Sequence, residues 1–298
     1  MPKKLFLLFA ILPLCPAAFA LNPRSAVSIN GLDTNPCTVA SPCRSFGAAL
    51  SQTQDGGEVI ALDSAGYGPF SISQSVTVSG APGVHAAITV PTSGTGIAIS
   101  GSSYVLLRNL VVQGGGSANY GIFANGIEVR ATNCVLRGFN SAAFYSIGGN
   151  VVIEDSTVLD TFVGIFCVGG HMTVSRVLVE NYDTGIKVQS VANADVLVSD
   201  SVITNGTNVG VQALSDIGLA VLDSMVLESC KITHNLVGVS ANASGGNNSA
   251  LVYLSQNVIS YNTTGATEVT NGTIYSFGNN RFSRNSSDGA ILSPISLR

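Results

Sequence analysis

The chain has 298 residues, 46% of them hydrophobic and only 10% charged, with 33 Gly and no Trp. So apolar and turn-rich a chain collapses, which excludes intrinsic disorder. A formal net charge of −4 argues against a general nucleic-acid binder.

Lys3 and Lys4 open the chain, an apolar run covers Leu5 to Leu14, and Ala18-Phe19-Ala20 follows. This pattern predicts a signal peptide over residues 1–20, cleaved near Ala20, and a secreted or periplasmic product with no membrane span. The run is well short of the ~20 residues that a spanning helix needs. A lipoprotein reading through Cys15 is disfavoured by bulky Leu14 before it and Pro16 after it. Without Lys3 and Lys4 the balance becomes 11 Lys+Arg against 17 Asp+Glu, a net −6. Residues 21–57 read as an N-terminal cap. Within it Cys37 and Cys43 are close enough to form a disulfide loop in an oxidising compartment. Pro42 to Leu50 reads as a short helix with Phe46, Ala49 and Leu50 on one side, placed to plug the first coil.

From residue 58 to 285 the chain repeats. A six-residue phrase with apolar first and last positions and a polar corner at the third runs from Leu107-Arg-Asn109-Leu-Val-Val112 to Phe277-Gly-Asn279-Asn-Arg-Phe282. Its corner column is Asn109, Asn133, Asp155, Arg176, Asp200, Ser229, Gln256 and Asn279, in steps of about 24 residues. A second phrase, Gly followed by a short apolar strand, interleaves with it at Gly96, Gly121, Gly164, Gly185, Gly210 and Gly238; Ala143 and Gly265 fill the remaining slots. Each period therefore holds three short strands with period-two alternation. Equivalent residues of successive coils should stack ~4.8 Å apart. Residues 286–298, with Ile291, Leu292 and Ile295, read as a C-terminal cap or tail.

This period and corner pattern resembles the right-handed parallel β-helix of the pectin lyase-like superfamily. The resemblance implies an all-β, single-domain solenoid with a short N-terminal capping helix. It also implies a saccharide groove whose floor is the strand after the repeat Gly. The outward column of that strand reads Ala98, Phe123, Tyr145, Phe166, Lys187, Gln212, Ser240 and Thr267. Phe123, Tyr145, Phe166, Lys187 and Gln212 are the candidate substrate-binding residues, since aromatic faces suit the C–H faces of sugar rings. A hydrophobic ladder covered by another segment is the bland alternative. In a lyase of this superfamily a basic residue would abstract the proton α to a uronate carboxylate, and clustered acids would bind calcium. Lys187 is the best-placed base, and Asp160, Glu180 and Asp183 are the candidate acids.

Other signals are structural. Arg176 lies between Asp155 and Asp200 in the corner column and is expected to neutralise both. Cys134 and Cys230 share a column four coils apart, about 19 Å, too far to bridge. Cys167 falls in the inward column Ala124, Ser146, Cys167, Val188, Ala213, Ala241 and reads as core. His85, His171 and His234 are scattered, so no zinc site is expected. Gly170-His171-Met172 only half matches the hydrolase Gly-His-Gly phrase, and neither an Asp-Asp pair nor Asp-Pro-His occurs. Missing signatures favour a saccharide-binding or surface-interaction module. It would need no cofactor and would take an extracellular or cell-surface polysaccharide as partner. The alternative is a lyase or glycoside hydrolase on an acidic polysaccharide, using calcium if a lyase.

Overall fold

The structure, a computed structural model, describes residues 21–101, 104–126, 128–189, 193–216, 221–244, 248–290 and 292–295. The expected leader, Cys15 and Ile291 lie outside the described residues. The described strands pair in parallel, each with its equivalent one coil away, in a solenoid of about 9 turns of about 24 residues. A 12-stranded first face runs from Asn22–Val27 through Thr53–Ala61 and Val76–Gly80 to Gly272–Ser276 and Ser293–Pro294. This sheet thus extends into both segments read as caps. Alternate side chains of all faces point inward and form one continuous core of Val, Ile, Leu, Ala and Phe.

The second and third faces follow, and here the three-strand expectation is modified. In the middle coils both are one unbroken strand, as in Val135–Ile147, Thr157–Cys167, Leu178–Val188 and Val202–Ser215. The bend between them is confined to a single left-handed residue per coil: Gly138 (φ 78°), Asp160 (53°), Asn181 (57°) and Asn205 (60°). Pairing continues on either side of it.

The corner between the first and second faces is made the same way. Asn109, Asn133, Asp155, Arg176, Asp200, Ser229 and Gln256 all have φ between 49° and 58°. Asn and Asp tolerate this region better than other non-Gly residues, which is why the column is rich in them. The last coil departs from the column, because Gly278 (φ 77°) takes the left-handed turn and Asn279 follows it.

Amide stacking occurs one residue beyond the corners, inside the wall. Asn262 is 2% exposed and shows the pattern. Its Oδ1 accepts from the backbone N and the Nδ2 of Asn235, both at 3.0 Å. Its Nδ2 donates to the Ile232 carbonyl and to Asn285 Oδ1, each at 3.1 Å. Asn257 and Asn280 repeat this at the other corner. The exposed corner charges do much less. Arg176 pairs with Asp155 alone, Nε donating at 2.7 Å and Nη2 at 3.0 Å, and among the described residues makes no hydrogen bond to Asp200. The expected three-residue neutralisation is therefore a direct, solvated ion pair with Asp155 and only a longer-range charge interaction with Asp200.

The repeat Gly is explained by close approach. A Cβ at Gly185 would lie 2.5 Å from the Gly210 carbonyl oxygen, and one at Gly210 would lie 2.7 Å from that of Gly238. Nothing larger fits without moving the next coil.

The N-terminal end is closed by the helix Phe46–Ser51, with Phe46, Ala49 and Leu50 buried as expected. Phe46 packs on Tyr67 and Phe70, ring centroids 5.1 and 4.7 Å apart. Cys37 and Cys43 are disulfide-bonded. Cys134, Cys167 and Cys230 are free and buried. Burial pushes each of these thiols up to about 11, so they are core residues rather than nucleophiles.

Asp63 ties the cap to the solenoid. It accepts from Ser28 Oγ at 2.5 Å, the Ile29 N–H at 3.0 Å and the Tyr67 hydroxyl at 2.6 Å. Burial alone would raise its carboxyl, but these donors outweigh burial and hold it below the ordinary carboxylate value.

Two outcomes are expected. Asn262→Ala removes a ladder rung and strands its buried partners, at a cost of about 2–4 kcal/mol. Arg176→Ala, at an exposed pair, leaves the melting temperature unchanged; thermal unfolding of the two variants checks the contrast. Because the Asp63 carboxyl is depressed, its contribution is complete above the unfolded value of ~3.9 and is lost as pH falls through the folded value. Asp63→Asn should flatten the fall in melting temperature between pH 5 and pH 2, and an unchanged profile would discount that anchor.

Candidate functional site

The register places the outward column of the third face as the sequence arranges it: Ala98 opposite Phe123, then Tyr145, Phe166, Lys187, Gln212, Ser240 and Thr267 on successive coils. Phe123, Tyr145, Phe166, Lys187 and Gln212 are half-buried, neither core nor fully solvated. Phe123 stacks on Tyr145 at 5.4 Å with their planes 12° apart, and Tyr145 meets Phe166 edge-on at 5.1 Å. The Lys187 ammonium lies 4.9 Å from the Phe166 ring centroid. Burial lowers the Lys187 amine below its ordinary value, partly opposed by Asp216 and Asp183. The inward neighbour column, Ala124 to Ala241 with Cys167, is buried throughout.

Two aromatics outside the predicted column extend this surface. Tyr120 packs against Tyr145 at 5.0 Å and Phe123 at 5.6 Å. Phe162 is 55% exposed. A hollow of about 180 Å³ lies among Tyr120, Tyr145, Phe162, Phe166 and Lys187. Phe162 also borders a second, open cleft of about 530 Å³ along the corner between the second and third faces. The signal for Phe162 was its position between the corner residue Asp160 and the repeat Gly164, where Asp183 and Thr263 are polar and Leu236 is again apolar and exposed.

The three candidate acids do not converge. Asp160 and Asp183 line the cleft. Asp160 Oδ1 accepts from Asn181 Nδ2 at 3.1 Å, and Asp183 Oδ1 accepts from Thr184 Oγ1 at 3.1 Å. Glu180 belongs to the outward side of the second face, opposite Leu159 and Thr204, and accepts from Asn205 Nδ2 at 2.9 Å. Among the described residues no group of three or more His, Cys, Asp or Glu side chains is placed to hold a metal ion. Asp160, Glu180 and Asp183 therefore do not form the acid cluster expected of a calcium-binding lyase.

With the geometry in place, comparison with known proteins identifies the class. Residues 74–221 match the family described as the right-handed β-helix region. A search of curated proteins found no sequence match. Among solved structures, a pectate lyase superposes with TM-score 0.71 at 13% identity, covering 94% of this chain and 80% of its own. A rhamnogalacturonan lyase gives TM-score 0.55 at 13% identity, covering 85% and 75%. A lacto-N-biosidase from Eubacterium ramulus gives 0.54 at 12% identity, covering 92% and 68%. The molecule is a right-handed parallel β-helix with an aromatic-lined groove on one face. Its likeness to these proteins concerns the fold and leaves the activity to be argued from the site.

The buried setting of Lys187 has a direct readout. After reductive methylation with ¹³C, its dimethylamine resonance should titrate with a midpoint below that of free lysine, ~10.4. Lys187→Arg assigns the signal. A midpoint at or above that value would mean that the ammonium is solvated.

Proposed function

We propose that this protein is an exported saccharide-binding module whose ligand lies along the third face, on Phe123, Tyr145 and Phe166, with Lys187 and Gln212 at the far end of the platform. The observation that carries the reading is the aromatic ladder itself. Three rings on consecutive coils, half-buried and outward, Phe123 and Tyr145 stacked and Phe166 edge-on to them, form a continuous apolar strip against which sugar C–H groups can pack. The adjoining cleft supplies amide and hydroxyl partners from Asn181, Asn205 and Thr207. The solved structures with this fold include two polysaccharide lyases, which supports a polysaccharide as partner. The Cys37–Cys43 disulfide and the basic-apolar leader support export.

A second reading, a polysaccharide lyase or glycoside hydrolase on an acidic polymer with Lys187 as base, draws on one observation. Burial lowers the Lys187 amine towards the range in which a base works near neutral pH. Asp160, Glu180 and Asp183 would be its acids, and their separation is what disfavours it.

The test is depletion of residues 21–298 from solution by a panel of insoluble glycans, with new reducing ends and unsaturated-uronate absorbance followed in parallel. Retention without cleavage is expected, weakened about tenfold (~1.4 kcal/mol) by Phe166→Ala without loss of the folded state. Cleavage abolished by Lys187→Ala would establish the lyase instead. A large fall in melting temperature for Phe166→Ala would show that the ring serves packing.

A further inference from the structure

We infer that the groove is selective for an uncharged, hydroxyl-rich glycan and excludes polyuronates. This rests on the saccharide reading above and names its ligand class. Charge decides it. The charged side chains lining the hollow and the cleft are Asp160, Asp183 and Lys187, two carboxylates against one ammonium. Successive rings of the platform are 5.4 and 5.1 Å apart, close to the length of one pyranose unit, so a chain laid along the axis places one sugar per ring.

Three uronates in that position would bring three carboxylates to a surface with a single ammonium, which already faces the Phe166 ring. The remaining carboxylates would lie near Asp160 and Asp183 in the open cleft, whose lining holds no cation to offset the repulsion of like charges. Among the described residues no group of three or more His, Cys, Asp or Glu side chains is placed to hold a cation that would offset this charge. The neutral lining is of the opposite character. Asn140, Ser141, Asn181, Asn205 and Thr207 both donate and accept, the capacity that sugar hydroxyls require.

Native affinity electrophoresis tests this with hydroxyethylcellulose and galactomannan as neutral probes and polygalacturonate and alginate as polyanions, each with EDTA and with calcium. Retardation by at least one neutral polymer is expected, at least tenfold stronger than by either polyanion in both media, and reduced about tenfold in Phe166→Ala. The double variant Asp160→Asn, Asp183→Asn should gain retardation in polygalacturonate that fades as salt is raised. Asn is tolerated at position 160, where φ is 53°. Retardation by a polyanion alone, lost in Phe166→Ala, would overturn the selectivity and leave the saccharide reading standing. No retardation by any of the four polymers would overturn both.

Discussion

A strand in this molecule can place its backbone N–H and C=O groups only on the strands one coil above and below it. That requirement fixes the register, and the register does most of the rest. It sets each side chain directly over its equivalent, so one residue type is repeated or compensated down each column. It brings the third-face backbone so close at Gly185 that a Cβ cannot be accommodated. It also lets one Asn satisfy both its own turn and the next, so that Asn235, Asn262 and Asn285 form a continuous chain of hydrogen bonds, buried at its first two members.

The candidate site follows from the same constraint acting on a bend. Because in the middle coils the turn between the second and third faces is absorbed by one left-handed residue, the strands there run through it without a gap, and its side chains are set outward at regular height. Where that residue is Gly138 no side chain projects, and Gly116 lies nearby on the wall of the cleft. Farther along, Asp160, Asn181 and Asn205 form its polar edge. The platform and the cleft are thus two sides of one corner, with Phe162 shared between them.

The parts of this arrangement legible in the sequence are those governed by period. The outward column from Ala98 to Thr267, the inward column holding Cys167, the plug residues Phe46, Ala49 and Leu50 and the disulfide partners were all readable, because burial and close approach leave a repeating residue type. What was not legible depends on geometry within a corner. Left-handed dihedrals explain the Asn-rich corner column, in which Ser229, Gln256 and Asn279 also hydrogen-bond from coil to coil, and a second amide ladder lies just inside it. Nor does spacing reveal side-chain direction: Glu180 and Asp183 are three residues apart yet belong to different faces. Tyr120 and Phe162 escaped notice because the neighbouring coils carry other residue types at their positions, Thr95 and Ala142 beside Tyr120 and Asp183 after Phe162.

A stack of near-identical rungs is also a template for its own copies, since the outermost strand on each side presents the same backbone groups that every inner strand uses. The first face begins at Asn22–Val27 and ends at Ser293–Pro294. Each of these strands contains a proline, Pro23 in one and Pro294 in the other, and proline has no N–H to offer a further rung. At each of these two strands of the first face a proline therefore removes one donor that a further rung would need.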